Sequence, residues 1–388
     1  MNHQHAHEVV IIGGGAAGLL LAGQLHDHGV HVALVEPHDL HTEVQGAWKA
    51  RTVALTPASV DLLDRLGFDW SHCRHSRYRT VLIEDADAPT TLRFAAAELG
   101  QAFLGVLVEL NRLNAGLVHC IQVRDLPVYR QPAVRLHADR RLELGDGTIL
   151  HGQLLVATDG AQSWLRQQTT IQQSILDYGQ SALIAVVETD RPHQGRAWQR
   201  FTDGYTLAFL PLGDELSCAY SMVWSLPGSQ AQALVQCPWL ELRSTLQRSM
   251  AEELGQVLTI YDQGLYPLVA RHALRYHEGN IVLVGDAAHT IHPLAGQGLN
   301  LGLTDIRVLI EELMRARRRG LPLEHASVLG RYQRRRIGDN ALMQGSMTVL
   351  QDLMAERHPL WRVARGQGWK WIERQPWLKS WMVEWAVQ

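Results

Sequence analysis

The run Val9-Val-Ile-Ile12, followed at once by Gly13-Gly-Gly-Ala-Ala-Gly18, constrains this chain more than any other stretch of it. The β-branched run reads as a buried strand. Leu19 to His28 has helical spacing and stops at Gly29, and Val30 to Val35 reads as a second strand closed by Glu36-Pro37. Strand, glycine turn, helix and strand make a parallel βαβ unit. In Gly13-x-Gly15-x-x-Gly18 the first glycine permits the tight turn, the second lets a pyrophosphate approach backbone, and the third lets helix pack on strand. The helix start offers N–H groups and partial positive charge to that phosphate. Glu36, eighteen residues after Gly18, is placed to accept from a ribose diol. The motif predicts a dinucleotide site. Taken alone, it leaves FAD and NAD both open.

The 388 residues are 46% hydrophobic and 19% charged, enough for two globular domains. A net charge of −3 carries no basic excess, so no nucleic acid partner is expected. Cys73, Cys120, Cys218 and Cys237 lie far apart, which excludes a C-x-x-C relay or zinc site and fits a reducing compartment. The polar start, with His3, His5 and His7, reads as a solvated tail. No apolar run reaches membrane-spanning length, so a cytoplasmic protein is expected. Further on, Ala182 to Glu188, Tyr205 to Leu210 and Leu216 to Trp224 read as strands of an antiparallel sheet. Asn280 to Val284 returns to a buried-strand pattern, and a helix is predicted from about Leu294 to Arg319, ended by Gly320 and Pro322.

Two further motifs follow strands. Leu154-Leu-Val156 leads into Ala157-Thr-Asp159-Gly160-Ala-Gln-Ser163-Trp-Leu-Arg166. It places a carboxylate at a strand's C-terminal end, where open α/β sheets bind ligands, though an ordinary turn would look the same. Asn280 to Val284 leads into Gly285-Asp286-Ala-Ala-His289-Thr-Ile-His292-Pro293-Leu-Ala-Gly296-Gln-Gly298-Leu299-Asn300. Asp286 can accept from a polyol, and the N–H groups of the helix start could stabilise charge on a reduced isoalloxazine. His289 and His292 lack a third ligand nearby, so no metal is expected.

Together these segments resemble the flavoprotein aromatic monooxygenases typified by hydroxybenzoate hydroxylase. Gly285 to Asp305 resembles the ubiquinone-biosynthesis hydroxylases in particular. Arg51-Thr-Val-Ala-Leu, Leu104 to Glu109, Trp198 to Gly204 with Leu210-Pro-Leu, Tyr266-Pro-Leu, and Arg331-Tyr-Gln-x-x-Arg336 with Asp339-Asn340 match in the same order. The resemblance implies an α/β fold: a Rossmann-like FAD-binding domain with an interleaved antiparallel-sheet substrate domain and C-terminal helices. We place the FAD domain at 1–75, 100–180 and 268–325, the substrate domain at 76–99 and 181–267, and a helical region at 326–388. By resemblance, Gly13, Gly15, Gly18 and Glu36 hold the adenosine half of FAD. Arg51 nears the flavin, Asp286 the ribityl chain, and Gly298, Leu299 and Asn300 the ring edge. Asp159 belongs to a segment that serves both FAD and passing NAD(P)H. Leu110 stands where the family usually has asparagine, so no side-chain contact to the cofactor is expected there.

Only one complete dinucleotide fold is evident, so NAD(P)H is expected as a transient co-substrate. The family's chemistry implies reduced flavin, O2 and a C4a-hydroperoxide that hydroxylates a phenolic ring, here a polyprenylated phenol or quinol of ubiquinone biosynthesis. Another apolar aromatic substrate, or a flavin-binding scaffold subunit, are the alternatives. No residue declares itself as catalytic base; His289, His292 and Pro293 are candidates by position at the motif turn. Trp369-x-Trp371 reads as packing. Six of the twelve tryptophans fall in the last 28 residues, and Trp377, Trp381 and Trp385 share one helical face. That face suits the protein's own core, the inner face of a membrane as a peripheral seat, or another quinone-biosynthesis protein.

Overall fold

The computed structural model describes residues 4–40, 46–86, 88–202, 205–291, 298–355, 367–371 and 374–375. Strands β1 (Gln4–Ile12) and β2 (Val32–Val35) flank helix α1 (Ala16–Asp27), as the glycine spacing predicts. On the other side of β1 lies β11 (Ile149–Ala157), and beyond it β18 (Ile281–Leu283); all these pairings are parallel. The short strands β8 (Val128–Tyr129) and β17 (His277–Glu278) close the two ends. Strands β9 (Ala133–Leu136) and β10 (Arg141–Leu144) extend β11 as an antiparallel ribbon. Leu19, Leu20, Leu21 and Leu25 of α1 are fully buried, because the helix is sandwiched between the sheet, α3 (Leu110–Gln122) and α7 (Gly298–Arg318). A helix covered all round carries apolar residues all round.

A three-stranded antiparallel sheet, β3 (Thr52–Leu55), β7 (Gly105–Glu109) and β4 (His75–Tyr78), stands beside this layer, with α2 (Pro57–Arg65) following β3. The third sheet roofs the molecule. Its order is β19 (His289–Thr290), β16 (Val257–Ala273), β12 (Gln173–Thr189), β15 (Ala219–Pro227), β14 (Thr206–Leu212), β13 (Arg196–Phe201), β5 (Thr80–Asp85) and β6 (Ala88–Ala95). It departs from the antiparallel expectation at one place, where β13 and β5 run parallel. Strand β12 is also far longer than the predicted 182–188; its first half is largely exposed and lacks the apolar alternation that marks a strand. Helices α5 (Gly228–Gln236) and α6 (Trp239–Ser249) contact this sheet, and residues of both join Trp224, Tyr220 and Phe209 in one buried cluster. A short helix α4 (Trp164–Gln167) follows β11, and the long helix α8 (Ala326–Ala355) lies against α7.

Helix α7 ends as its sequence predicts, with Gly320 at φ +66° and backbone bonds from Gly320 and Leu321 back to Arg317 and Ala316. Near this end Arg317 Nη1 donates to the carbonyls of His28 (3.1 Å) and Gly29 (2.7 Å) at the end of α1. The predicted first turn of this helix, with His292 and Pro293, falls outside the described residues. So do Trp377, Trp381 and Trp385. Trp369 is buried, whereas Trp371 is 54% exposed. No helix among the described residues is long and apolar enough to cross a membrane.

Candidate functional site

Ile12 pairs with Ala157 and Ala157 with Leu283, so the three motifs leave three adjacent parallel strands at the same edge. Side chains then stitch them together. Thr158 Oγ1 lies 2.9 Å from the carbonyl oxygens of both Ile12 and Gly13, joining the second motif to the first. Arg166, buried, donates through Nη1 to Ala287 O (2.7 Å) and through Nη2 to Ala161 O (2.9 Å), joining the second to the third.

The first turn is built for backbone approach. Gly13 sits at φ +109°, and a Cβ there would stand 2.5 Å from Thr158 O. A Cβ on Gly18 would stand 1.9 Å from Gly13 O, so the start of α1 lies directly on the turn. A Cβ on Gly15 meets no atom within 4 Å, so the N-cap of α1 faces open space. No side chain caps α1, which leaves its first N–H groups for a ligand. Glu36 Oε2 accepts from Gly14 N at 2.6 Å, and Oε1 accepts from His38 N at 2.9 Å, which holds the carboxylate at the mouth of this turn.

The remaining residues surround the same opening. Asp159 Oδ2 accepts from Leu165 N at 3.1 Å, while Oδ1 is buried with no partner among the described residues. Burial raises its carboxyl above the ordinary range. Asp286 is open to solvent on one side and hemmed by protein on the others. Burial raises its carboxyl too, opposed by neighbouring His289 and Arg51. Arg51 is exposed, with its guanidinium 5.8 Å from the centroid of the Tyr266 ring. An open phosphate turn, an orphaned buried carboxylate oxygen and the exposed carboxylate of Asp286 fit a dinucleotide rich in hydroxyl donors.

The side chain of Asn300, expected near the ring edge, has protein partners on every side of its amide. Its Oδ1 accepts from Thr56 N (3.1 Å) and Ser59 Oγ (2.8 Å), and its Nδ2 donates to Ala54 O (2.7 Å). The side chain is spent on locking α7 to β3 and α2, so Asn300 has only its backbone to offer a ring. His289 is buried, with Nε2 2.6 Å from Asp305 Oδ2. His292 and Pro293 lie outside the described residues. Leu110 opens α3 and packs against the core, in keeping with its lack of a polar group.

Residues that the sequence reading quoted in its motifs without assigning them a role support the site from behind. Glu109, 1% exposed, accepts from Lys49 N (2.7 Å), Arg112 Nε (2.6 Å) and Arg74 Nη2 (2.9 Å). Arg74 in turn donates to Gly46 O and Ala47 O, so this cluster holds the segment that delivers Arg51. Asp305, Arg336, Asn340 and Tyr276 form a second cluster under Gly285. The available signal was an acid on the apolar stripe of α7, alongside Gly302, Ile306 and Leu309.

A nucleotide turn at the edge of a parallel sheet, roofed by an antiparallel one, is the architecture of flavin-dependent monooxygenases. The p-nitrophenol 4-monooxygenase PnpA of Pseudomonas putida DLL-E4 superposes with a TM-score of 0.77 at 19% identity, over 99% of this chain and 97% of that one. PqsL of P. aeruginosa, in complex with 2-aminobenzoylacetate, gives 0.75 at 22% over 94% and 100%. In sequence, the 3-demethoxyubiquinol 3-hydroxylase of Escherichia coli (strain K12) is 34% identical, covering 98% of both chains. The ubiquinone hydroxylase UbiL of Rhodospirillum rubrum is 32% identical over 98% of this chain and 89% of its own. The FAD binding domain family model matches residues 6–336. The chain belongs to that family, and it is an FAD-dependent monooxygenase of the hydroxylase group that these relatives represent.

Proposed function

We propose that this protein hydroxylates the ring of a polyprenylated phenol or quinol in ubiquinone biosynthesis, with NAD(P)H and O2 as co-substrates. The sheet face turned toward the cofactor turn carries the reading. Gly264, Ile184, Val223, Ala208, Gln199 and Ile83 stand opposite one another across six strands, in one continuous register. All six are half-buried. The opposite face of the same strands, by contrast, holds the fully buried Leu183, Met222 and Phe209. The row begins beside Tyr266 and Arg51 and ends, about 24 Å away at usual strand spacing, in a cluster of Leu92, Phe94, Phe201 and Trp369. A row of mostly small and apolar side chains, broken only by Gln199, suits a long hydrocarbon tail whose ring lies at the Arg51 end.

When bound, FAD supplies hydride acceptance from NAD(P)H and the activation of dioxygen. The chain's own residues bind and orient. In our assignment Gly13, Gly15, Gly18 and Glu36 take the adenosine half, Asp159 serves FAD and passing NAD(P)H, Arg51 nears the flavin, and Asp286 takes the ribityl hydroxyls. The first N–H groups of α7, at Gly298, Leu299 and Asn300, would serve the ring edge. The division at 1–75, 100–180 and 268–325 against 76–99 and 181–267 belongs to the same proposal. A scaffold role is not favoured, because the relatives are named as hydroxylases.

Ala208→Trp fills the middle of the row and leaves the cofactor turn untouched. Its kcat/KM for a long-tailed prenylphenol is expected to fall roughly 10- to 100-fold, while turnover of a phenol with a one-unit tail changes by less than about threefold. Equal losses for both substrates would overturn this reading of the row.

A further inference from the structure

Asp305, in the second turn of α7, is fully buried and still carries a carboxylate. Four donors converge on it: Gly285 N at 3.0 Å and His289 Nε2 at 2.6 Å from the turn, Arg336 Nε at 2.7 Å and Asn340 Nδ2 at 3.2 Å from α8. Burial alone would raise its carboxyl, but His289 and Arg336 outweigh that and hold it at about 2, so it stays ionised. The network continues outward. Arg336 Nη2 donates to Asn340 Oδ1 (2.6 Å), Asn340 Nδ2 also reaches the Tyr276 hydroxyl (3.1 Å), and that hydroxyl lies 3.0 Å from His272 Nε2. Tyr332 of α8 donates to Leu283 O (2.8 Å), the last residue of the strand that enters the turn.

Stability alone is a weak reason for such a network, because apolar side chains of equal volume often serve as well in place of a buried ion pair. Its geometry does something apolar packing cannot. It ties the backbone N–H just before Asp286, and the imidazole three residues after it, to one fixed charge on α7, the helix whose start faces the same opening. His289 and Asp305 also act on the Asp286 carboxyl, in opposite senses.

We propose that Asp305 and Arg336 are positioning residues for the flavin cofactor. They fix the turn that presents Asp286 against the start of α7 and set the charge behind it, without touching the cofactor. This inference rests on the FAD site alone, and it stands or falls independently of the substrate proposed above.

The test measures FAD affinity of the apoprotein and the midpoint potential of the bound flavin, neither of which needs a substrate. Asp305→Asn and Arg336→Gln are expected to weaken FAD binding at least ~10-fold and to shift the potential. Arg336→Lys, which keeps the charge but loses the fork, should recover part of both. Asp339→Asn removes only the exposed partner of Arg336, 3.3 Å away, and should behave as wild type. Variants that melt earlier but bind FAD with unchanged affinity and potential would overturn the proposal. Should the substituted proteins fail to fold, wild-type protein with isotope-labelled histidine decides. The His289 nitrogen resonances should move when FAD is added, and resonances that stay in place would refute the role.

Discussion

Replacing Gly13 by alanine is expected to abolish FAD uptake, with a loss of affinity of at least ~100-fold, near 3 kcal/mol. The backbone there has φ +109°, and the new methyl would stand 2.5 Å from Thr158 O, 2.6 Å from Thr158 C and 2.7 Å from Asp159 Cα. All three are backbone atoms at the end of β11, so no rotamer change can relieve the overlap. Strain of this kind costs about 1–3 kcal/mol before any displacement of the strand is counted. The relief available is to move the turn away from Asp159, which separates two of the three motifs. Gly15→Ala is the matched control for folding. Its φ is −73° and nothing lies within 4 Å of the added methyl, so thermal stability of the FAD-free protein should be unchanged. Its FAD affinity should still fall, because the methyl occupies space that the cofactor's pyrophosphate enters. Apoprotein titration with FAD and thermal melts separate the two effects. Normal FAD affinity in Gly13→Ala would contradict the cradle.

Asn300→Leu should cost about 3–5 kcal/mol of stability, read from urea unfolding of the FAD-free protein at unchanged m. The substitution keeps volume but strands Thr56 N, Ser59 Oγ and Ala54 O, which the amide satisfies at 3.1, 2.8 and 2.7 Å. Asn300 and Ser59 are 5% and 3% exposed, so water cannot replace the lost partner without opening the α7–α2 contact. Measuring without FAD matters, because a ligand bound only to the folded state would add its own stabilisation. A loss below about 1 kcal/mol would show that the amide is not the lock described here.

The glycine turn, its strands and the end of α7 were legible because each is set by neighbours in sequence: β-branched runs, glycines at fixed offsets, a capping Gly320 before Pro322. The roof sheet was legible only in its middle. Its inner strands alternate, whereas the first half of β12 is exposed and is held as a strand by pairing with β16, from Gln173–Ala273 to Asp177–Val269, about a hundred residues away. The parallel pairing of β13 with β5 likewise depends on a distant partner, and no turn residue announces it. In the site, positions whose backbone is the functional part could be read from residue type. Side chains whose work depends on who stands opposite could not. Asn300 looked available for a ligand because its motif lies at the cofactor, yet its partners, Ala54, Thr56 and Ser59, come from some 240 residues earlier. His289 was a candidate by position alone, and its partner Asp305, 2.6 Å away and sixteen residues on, was not legible. Arg336 and Asn340 carried no local signal of their role, since the residues they serve are brought to them only by the packing of α8 on α7.

The most direct test of the whole account is a single incubation of purified, FAD-loaded protein with NADPH, a prenylated phenol and isotopically labelled dioxygen, followed by mass spectrometry of the product. The account predicts a ring-hydroxylated product whose new oxygen carries the label. NADPH consumption that yields only labelled hydrogen peroxide with each prenylphenol supplied, or a hydroxyl drawn from water, would contradict it.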